Sequence, residues 1–244
     1  VATSTAFRLL LAVAVTEDLD ISSGDIDGAF LNAELSEDLD APIYMSPPAG
    51  FEDPTGQGRV FLLRKSIYGL KNASYCWFKT LSAVMLKLGY RPIDASECLW
   101  LFDTQGRKAL FAVHVDDYVL AYNDAELADN LVCTFTKLWG VSGTGPLKTH
   151  LGMEIDFVKG HHAIVTQKTY FQKVLRRFGF ATMKPADTPM DSTIKISLED
   201  TTSDNALDGN DKRQYMEMVG SLLYGAVMTR PDIANAVAQL GRVM

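Results

Sequence analysis

Apolar positions along this chain change period from helical to alternating and back. Residues 4–15 carry Phe7, Leu9, Leu10, Leu11, Val13 and Val15 without a glycine or proline, which predicts a helix. Residues 21–27 predict a short strand that runs into the apolar Ala29-Phe30-Leu31. Proline and glycine crowd residues 40–58, so a loop is expected there, with one extended piece at 43–45. Residues 60–63 predict a strand, and 73–88 a helix stopped by Gly89. Residues 99–102 and 109–115 flank a turn at Thr104-Gln105-Gly106-Arg107 and predict a hairpin. Its second strand reaches Asp116-Asp117, and 118–122 predicts one more apolar strand. Aspartate tolerates left-handed backbone angles, which suits a tight turn at that pair. Asp124 is placed to cap a helix over 125–138. A further hairpin is expected from 151–158 and 163–166, then a basic amphipathic helix over 169–178. Residues 184–209 hold Pro185 and Pro189 and little pattern, the best linker in the chain. Helices over 214–228 and 231–243 close it, the second opening on Pro231. Mixed helices, strands and hairpins predict an α+β fold, an antiparallel sheet with helices on one face.

Composition narrows the class. The 244 residues are 47% hydrophobic and 22% charged, ordinary for a globular chain with room for a sizeable core. The longest apolar run, 9–15, is too short to span a bilayer, and nothing has the order of a secretory signal. The first residue is Val1, which suggests a fragment or processed product. Cys76, Cys98 and Cys133 are far apart and form no CxxC pair, so reduced and mostly buried thiols are expected. His161-His162 reads as polar surface in a turn.

The net charge of −7 argues at first against nucleic acid, but the charges are segregated. Residues 9–58 hold eleven acids and no base, whereas 59–91 hold seven bases and no acid. Residues 157–186 hold six bases and no acid, and 199–211 is acidic again before Lys212. Ordinary surface patchiness is one reading. The other is an acidic metal site flanked by two basic tracks that follow a phosphate backbone.

Candidate chemistry lies with the aspartates. Asp116-Asp117 sits between Phe111-Ala112-Val113 and Val119-Leu120-Ala121, and Asp25 ends another apolar-flanked strand. Adjacent ionised acids repel and favour a cation, and oxygen ligands select magnesium or manganese. Alone, the pair is weak evidence and reads first as a plain polar turn.

Several blocks in order resemble the copia-type reverse transcriptases of LTR retrotransposons. RLLLAVAV (8–15) resembles the helix before the first catalytic strand, and GDIDGAFLNAEL (24–35) the family's first motif. IYMSPPAGF (43–51) resembles the following loop, and LRKSIYGLKNASYCWF (63–78) the motif that contacts template and nucleotide. HVDD (114–117) is similar to the YVDD turn, and LGMEI (151–155) to the strand after it. QKTYFQKVLRRFGF (167–180) and VGSLLYGAVMTRPDIANAV (219–237) resemble downstream blocks.

The resemblance implies an RNA-directed DNA polymerase. It implies a right-hand palm over 1–166 with partial fingers, then a thumb- or connection-like helical region over 167–244 with a linker near 184–211. Asp25, Asp116 and Asp117 would be the catalytic carboxylates and hold two Mg2+ or Mn2+ ions about 3.5–4 Å apart. Ile26, Gly28, Ala29, Phe30, Tyr68, Gly69 and Lys71 would face the incoming nucleotide, with Phe30 excluding a ribose 2′-hydroxyl. A core aromatic at Phe30 and a solvated surface lysine at Lys71 are the plainer readings. His114, Val115, Lys168, Lys173, Arg176 and Arg177 would contact primer and template; a plain amphipathic surface helix is the alternative for the last four. Partners would be an RNA template, a DNA primer, deoxynucleoside triphosphates and the ribonuclease H and integrase modules of a Pol polyprotein. No membrane partner is expected. The place of action would be the cytoplasm, in a virus-like particle, or the nucleus.

The sequence departs from the family at His114, where tyrosine is usual, and at Ser74, where proline is usual. Neither a basic fingers segment before Val1 nor a ribonuclease H domain after Met244 is in the sequence. The alternative function is an inactive or domesticated retrotransposon remnant that only binds nucleic acid.

Overall fold

The computed structural model describes residues 3–35, 42–51, 56, 58–93, 96–191, 193, 194, 196 and 207–244. The chain divides into two compact units: residues 1–147 with 158–162, and 148–157 with 163–244. The linker read over 184–211 falls in the second unit, and its residues 192, 195 and 197–206 lie outside the described residues.

The first unit holds α1 (Ser4–Thr16), β1 (Asp20–Ile26), α2 (Ala29–Asn32), β2 (Tyr44–Met45), β3 (Phe61–Leu62), α3 (Ala73–Lys87), β4 (Arg91–Ile93), β5 (Ser96–Thr104), β6 (Arg107–His114), β7 (Asp117–Tyr122), α4 (Ala125–Leu138) and β8 (Val141–Pro146). Six strands pair in the order β4-β5-β6-β7-β1-β8, each neighbour antiparallel. The central β6 and β7 are buried from Ala109 to Val113 and from Tyr118 to Ala121, which is why they read as unbroken apolar runs. Side-chain caps start α1 and α4, the second as expected. Thr3 Oγ1 accepts the Ala6 N–H at 3.1 Å at the head of α1, and Asp124 Oδ1 accepts the Leu127 N–H at 3.0 Å at the head of α4. Between β5 and β6, Gln105 and Gly106 both take positive φ, 55° and 79°, the twist a two-residue hairpin needs.

Strand alternation sorts the sheet into two faces. Phe135 of α4 packs edge-on against Phe111 and Tyr118, and Phe78 of α3 approaches Trp100 on the same face. Asp25 and Asp117 are one residue out of phase with Gly24 and Tyr118 and take the opposite face.

The second unit holds β9 (Thr149–His150), β10 (Met153–Val158) and β11 (His162–Thr166) in one small sheet, with the hairpin tip 158–162 grouped with the first unit. It continues with α5 (Lys168–Arg177), α6 (Gly209–Met228), a 3-10 turn at Pro231–Ile233 and α7 (Ala234–Gly241). Val219, Ala226 and Val237 form the apolar seam between α6 and α7. The Glu154 carboxylate accepts the Lys168 and Thr169 N–H groups at 3.0 and 2.9 Å, satisfying two free donors at the head of α5. Hydrogen bonds from the Thr169 hydroxyl first, then from its N–H and from the Thr166 hydroxyl, push Glu154 down to about 2.

Three strands were not expected: β4, β8 and β9. β4 tolerates Pro92 because it is an edge strand. β8, sequence VSGTGP, has little strand propensity and is held as the opposite edge by pairing with β1. Cys76 and Cys98 are buried and Cys133 exposed, all three free thiols, and His161 and His162 are exposed. Among the described residues, no helix is long and apolar enough to cross a membrane.

Candidate active site

The hairpin of β6 and β7 carries the acidic pair to one end of the sheet. Its register sets His114 opposite Asp117, leaving a two-residue turn of Val115 and Asp116. β1 lies alongside with Asp25 opposite Asp117, and the Ile26 N–H donates to the Asp116 carbonyl at 3.0 Å. Asp25, 91 residues before Asp116, thus meets the adjacent Asp116-Asp117 pair at one sheet end, all three half-buried. β8 closes the far side of β1: Asp25 pairs with Ser142 across an irregularity in register, and the Asp27 N–H donates to the Gly140 carbonyl at 3.1 Å. Ser142 Oγ donates to Asp27 Oδ1 at 2.9 Å, which turns the Asp27 carboxylate toward β8.

The backbone of the turn corrects one expectation. The left-handed residue is Val115, with φ of 66°, and neither aspartate is among the non-glycine residues with positive φ. A turn whose first central residue has positive φ prefers glycine there, because a Cβ crowds the backbone. A β-branched side chain in that region costs on the order of 1–3 kcal/mol. The opposing restraint is long-range: the buried Trp77 of α3 donates its indole N–H to the Val115 carbonyl at 2.6 Å.

Electrostatics at this end are those of an acid cluster. Burial, then the charges of Asp116, Asp117 and Asp27, raise Asp25 above the ordinary carboxylate range, and its carboxyl hydrogen-bonds to Asp117. Asp117 is raised too, by burial first and Asp116 second, with His114 and the bond from Asp25 working the other way. Such a group gains from a cation, and three carboxylates are hard oxygen donors of the sort that take magnesium or manganese. The donor set therefore fits in type. Among the described residues, however, no three histidine, cysteine, aspartate or glutamate side chains converge into a closed metal cage. One cause is visible: Asp116 Oδ1 accepts the Asp117 N–H at 3.2 Å, folding that carboxylate back onto its own turn.

Other expected residues lie on both units. Gly28 has φ of 60° and starts α2, whose Phe30 is half-buried and meets Tyr68 edge-on with ring centroids 5.2 Å apart. Ile26 and Ala29 are buried; Tyr68, Gly69 and Lys71 are exposed on the loop before α3. His114 is half-buried, with Nδ1 buried and without a hydrogen-bond partner. Lys168, Lys173, Arg176 and Arg177 are exposed on α5, in the second unit; Arg177 pairs with Glu217 at 2.6 Å. Sequence reading missed Trp77 and the Asp27–Ser142 link. A tryptophan on the apolar face of a helix carries no mark of a bond made 38 residues away.

An antiparallel sheet thus brings Asp25 beside a tight Asp116-Asp117 hairpin. The family described as reverse transcriptase (RNA-dependent DNA polymerase) matches residues 1–192, and the chain belongs to it. Within that family its relatives are the Pol polyproteins of copia-type retrotransposons. The Retrovirus-related Pol polyprotein from transposon RE1 of Arabidopsis thaliana is 35% identical over 99% of this chain. The corresponding polyprotein from transposon TNT 1-94 of Nicotiana tabacum is 31% identical over 98% of it. The chain spans 16% and 18% of the length of those two polyproteins. The putative transposon Ty5-1 protein of Saccharomyces cerevisiae is 29% identical over 90% of this chain and 68% of its own length.

Proposed function

We propose that this chain is the nucleotidyl-transfer region of a retrotransposon polymerase, extending a DNA primer on an RNA or DNA template. In this reading residues 1–166 form the palm with part of the fingers, and 167–244 a thumb- or connection-like region. The observation that carries the proposal is the register that sets Asp25 against Asp117, with Asp116 in the adjoining turn.

Asp25, Asp116 and Asp117 would hold two Mg2+ or Mn2+ ions. When bound, those ions would supply the charge that acidifies a primer 3′-hydroxyl and offsets the leaving pyrophosphate. The protein's remaining work is positioning, as expected for phosphoryl transfer. The backbone from Ile26 to Ala29 passes under the triphosphate, and Gly28 lets it approach closely. Phe30, braced by Tyr68, fills the space of a ribose 2′-hydroxyl. Gly69 and Lys71 border the nucleotide. His114 and Val115 lie under the primer end, and Lys168, Lys173, Arg176 and Arg177 follow the duplex backbone. In the cell the chain would act within a Pol polyprotein alongside ribonuclease H and integrase modules.

Primer extension on a poly-A template with an oligo-dT primer tests this. The polyprotein segment carrying this chain should extend only with magnesium or manganese, and Asp116→Asn should slow it by a factor of about 100 or more, as expected for loss of a metal ligand. Equal extension by the variant would sink the assignment.

A further inference from the structure

We propose that Trp77 is a positioning residue for the carboxylate turn, holding Val115 in its left-handed conformation so that Asp116 stays beside Asp25. The inference rests on the metal-binding reading of the three aspartates, and names a residue that the reading does not contain.

Four observations converge on it. First, the turn has a conformation its own sequence disfavours, since Val115 stands at φ of 66° where glycine is preferred. Second, packing beside the turn is incomplete: a cavity of about 30 Å³ is lined by Val115 together with Phe30, Ser74, Trp77, Phe78 and Val113. Third, the Val115 carbonyl accepts the indole N–H of Trp77 at 2.6 Å. That peptide joins Val115 to Asp116, so fixing its carbonyl fixes where the Asp116 backbone begins. Fourth, the indole is itself held. It is 3% exposed and packs edge-on against Trp139 at 4.8 Å, and Trp139 meets Phe135 at a tilt, 5.1 Å between centroids. The residue after Trp139 is Gly140, whose carbonyl accepts the Asp27 N–H. One aromatic cluster thus abuts both backbones that present the aspartates.

The consequence runs through two amides. The Ile26 N–H donates to the Asp116 carbonyl and the Asp117 N–H to Asp116 Oδ1, so both report whether the turn is in place. The Asn123 N–H, bonded to Lys108 at the other end of the same strand pair, is the internal reference. Trp77→Phe keeps a buried aromatic ring while removing the N–H donor together with the fused ring that carries it. Amide exchange followed by NMR on the full chain should quicken at Ile26 and Asp117 by about 2- to 12-fold, the range one hydrogen bond commands. Asn123 should be unchanged. The apparent affinity for Mn2+, read by the electron paramagnetic resonance of the free ion, should fall several-fold in the same variant. Adding Val115→Gly should shrink both effects, because the turn then needs no restraint. Unchanged exchange at Ile26 and Asp117 in Trp77→Phe would overturn the proposal, and so would effects that Val115→Gly leaves undiminished. If Trp77→Phe fails to fold, the double variant decides: recovery of the fold supports the restraint, and continued failure assigns Trp77 to core packing alone. Asp116→Asn separates the two readings. Mn2+ binding equal to that of the unaltered chain in Asp116→Asn would remove the metal site, while the exchange rates would still judge Trp77.

Discussion

Gly24→Ala should unfold the first unit more easily, for a reason readable in ångströms. Gly24 immediately precedes Asp25 and faces Tyr118 across the β1–β7 pair. A methyl there would lie 2.5 Å from Tyr118 Oη, 2.7 Å from Cζ and 2.8 Å from Cε1. Ordinary carbon contacts need about 3.5–4.0 Å, so ring or strand must shift by roughly 1 Å. The ring has nowhere to go: Tyr118 is 1% exposed, stacked on Phe111 at 5.6 Å and edge-on to Phe135 at 6.4 Å. Overpacking of this sort costs about 1–3 kcal/mol. Alanine recovers about 0.5–1 kcal/mol of that through its smaller backbone entropy loss. The net is a destabilisation of up to about 2.5 kcal/mol, centred near about 1.2 kcal/mol, or roughly an 8-fold shift toward the unfolded state. Urea unfolding followed by tryptophan fluorescence measures it cleanly, because Trp77, Trp100 and Trp139 all lie in the first unit. Gly145→Ala, also in the sheet, is the control, since a methyl there meets nothing within 4 Å. Equal midpoints for the two variants would refute the argument. A double variant with Tyr118→Leu should be less destabilised than the two single losses added together, because the clash is shared.

Two further outcomes are expected. Phe30→Ala should raise ribonucleotide incorporation relative to deoxyribonucleotide in primer extension, because the ring that would meet a 2′-hydroxyl is gone; unchanged selectivity would return Phe30 to a packing role. The bonds from Glu154 to the head of α5 should weaken with acid. Its folded pKa of about 2 lies below the ordinary 4.5, so its contribution is full above 4.5 and fades as pH falls toward 2. Exchange at the Lys168 and Thr169 amides, corrected for intrinsic rates, should show that loss of protection, and Glu154→Gln should flatten it.

Much of the first unit was legible because local signals agreed with the tertiary structure. Asp124 caps α4 where the sequence offers a capping residue before an apolar period, and Gly89 follows α3 with φ of 83°. The buried runs of β6 and β7 announced themselves by composition. β8 did not, since glycines and a terminal proline argue against a strand and only pairing with β1 overrides them. The site was legible by resemblance more than by pattern. An acid pair between two strands reads as a turn until a third acid is known to lie beside it, and the pairing of Asp25 with Asp117 spans most of the first unit. The left-handed residue went unread because aspartate is the better candidate by propensity, yet the turn puts Val115 there.

The turn of Gln105 and Gly106 has a practical use. It sits at the start of β6, and the carboxylate turn follows the end of the same strand. Eight residues of extended chain separate the two by about 25 Å. Both turn residues are exposed and already in the conformation that a tight connection requires. A fluorophore, affinity peptide or surface tether grafted at this position would therefore leave the acidic end of the sheet undisturbed, giving single-molecule work on this chain an anchor remote from the three aspartates.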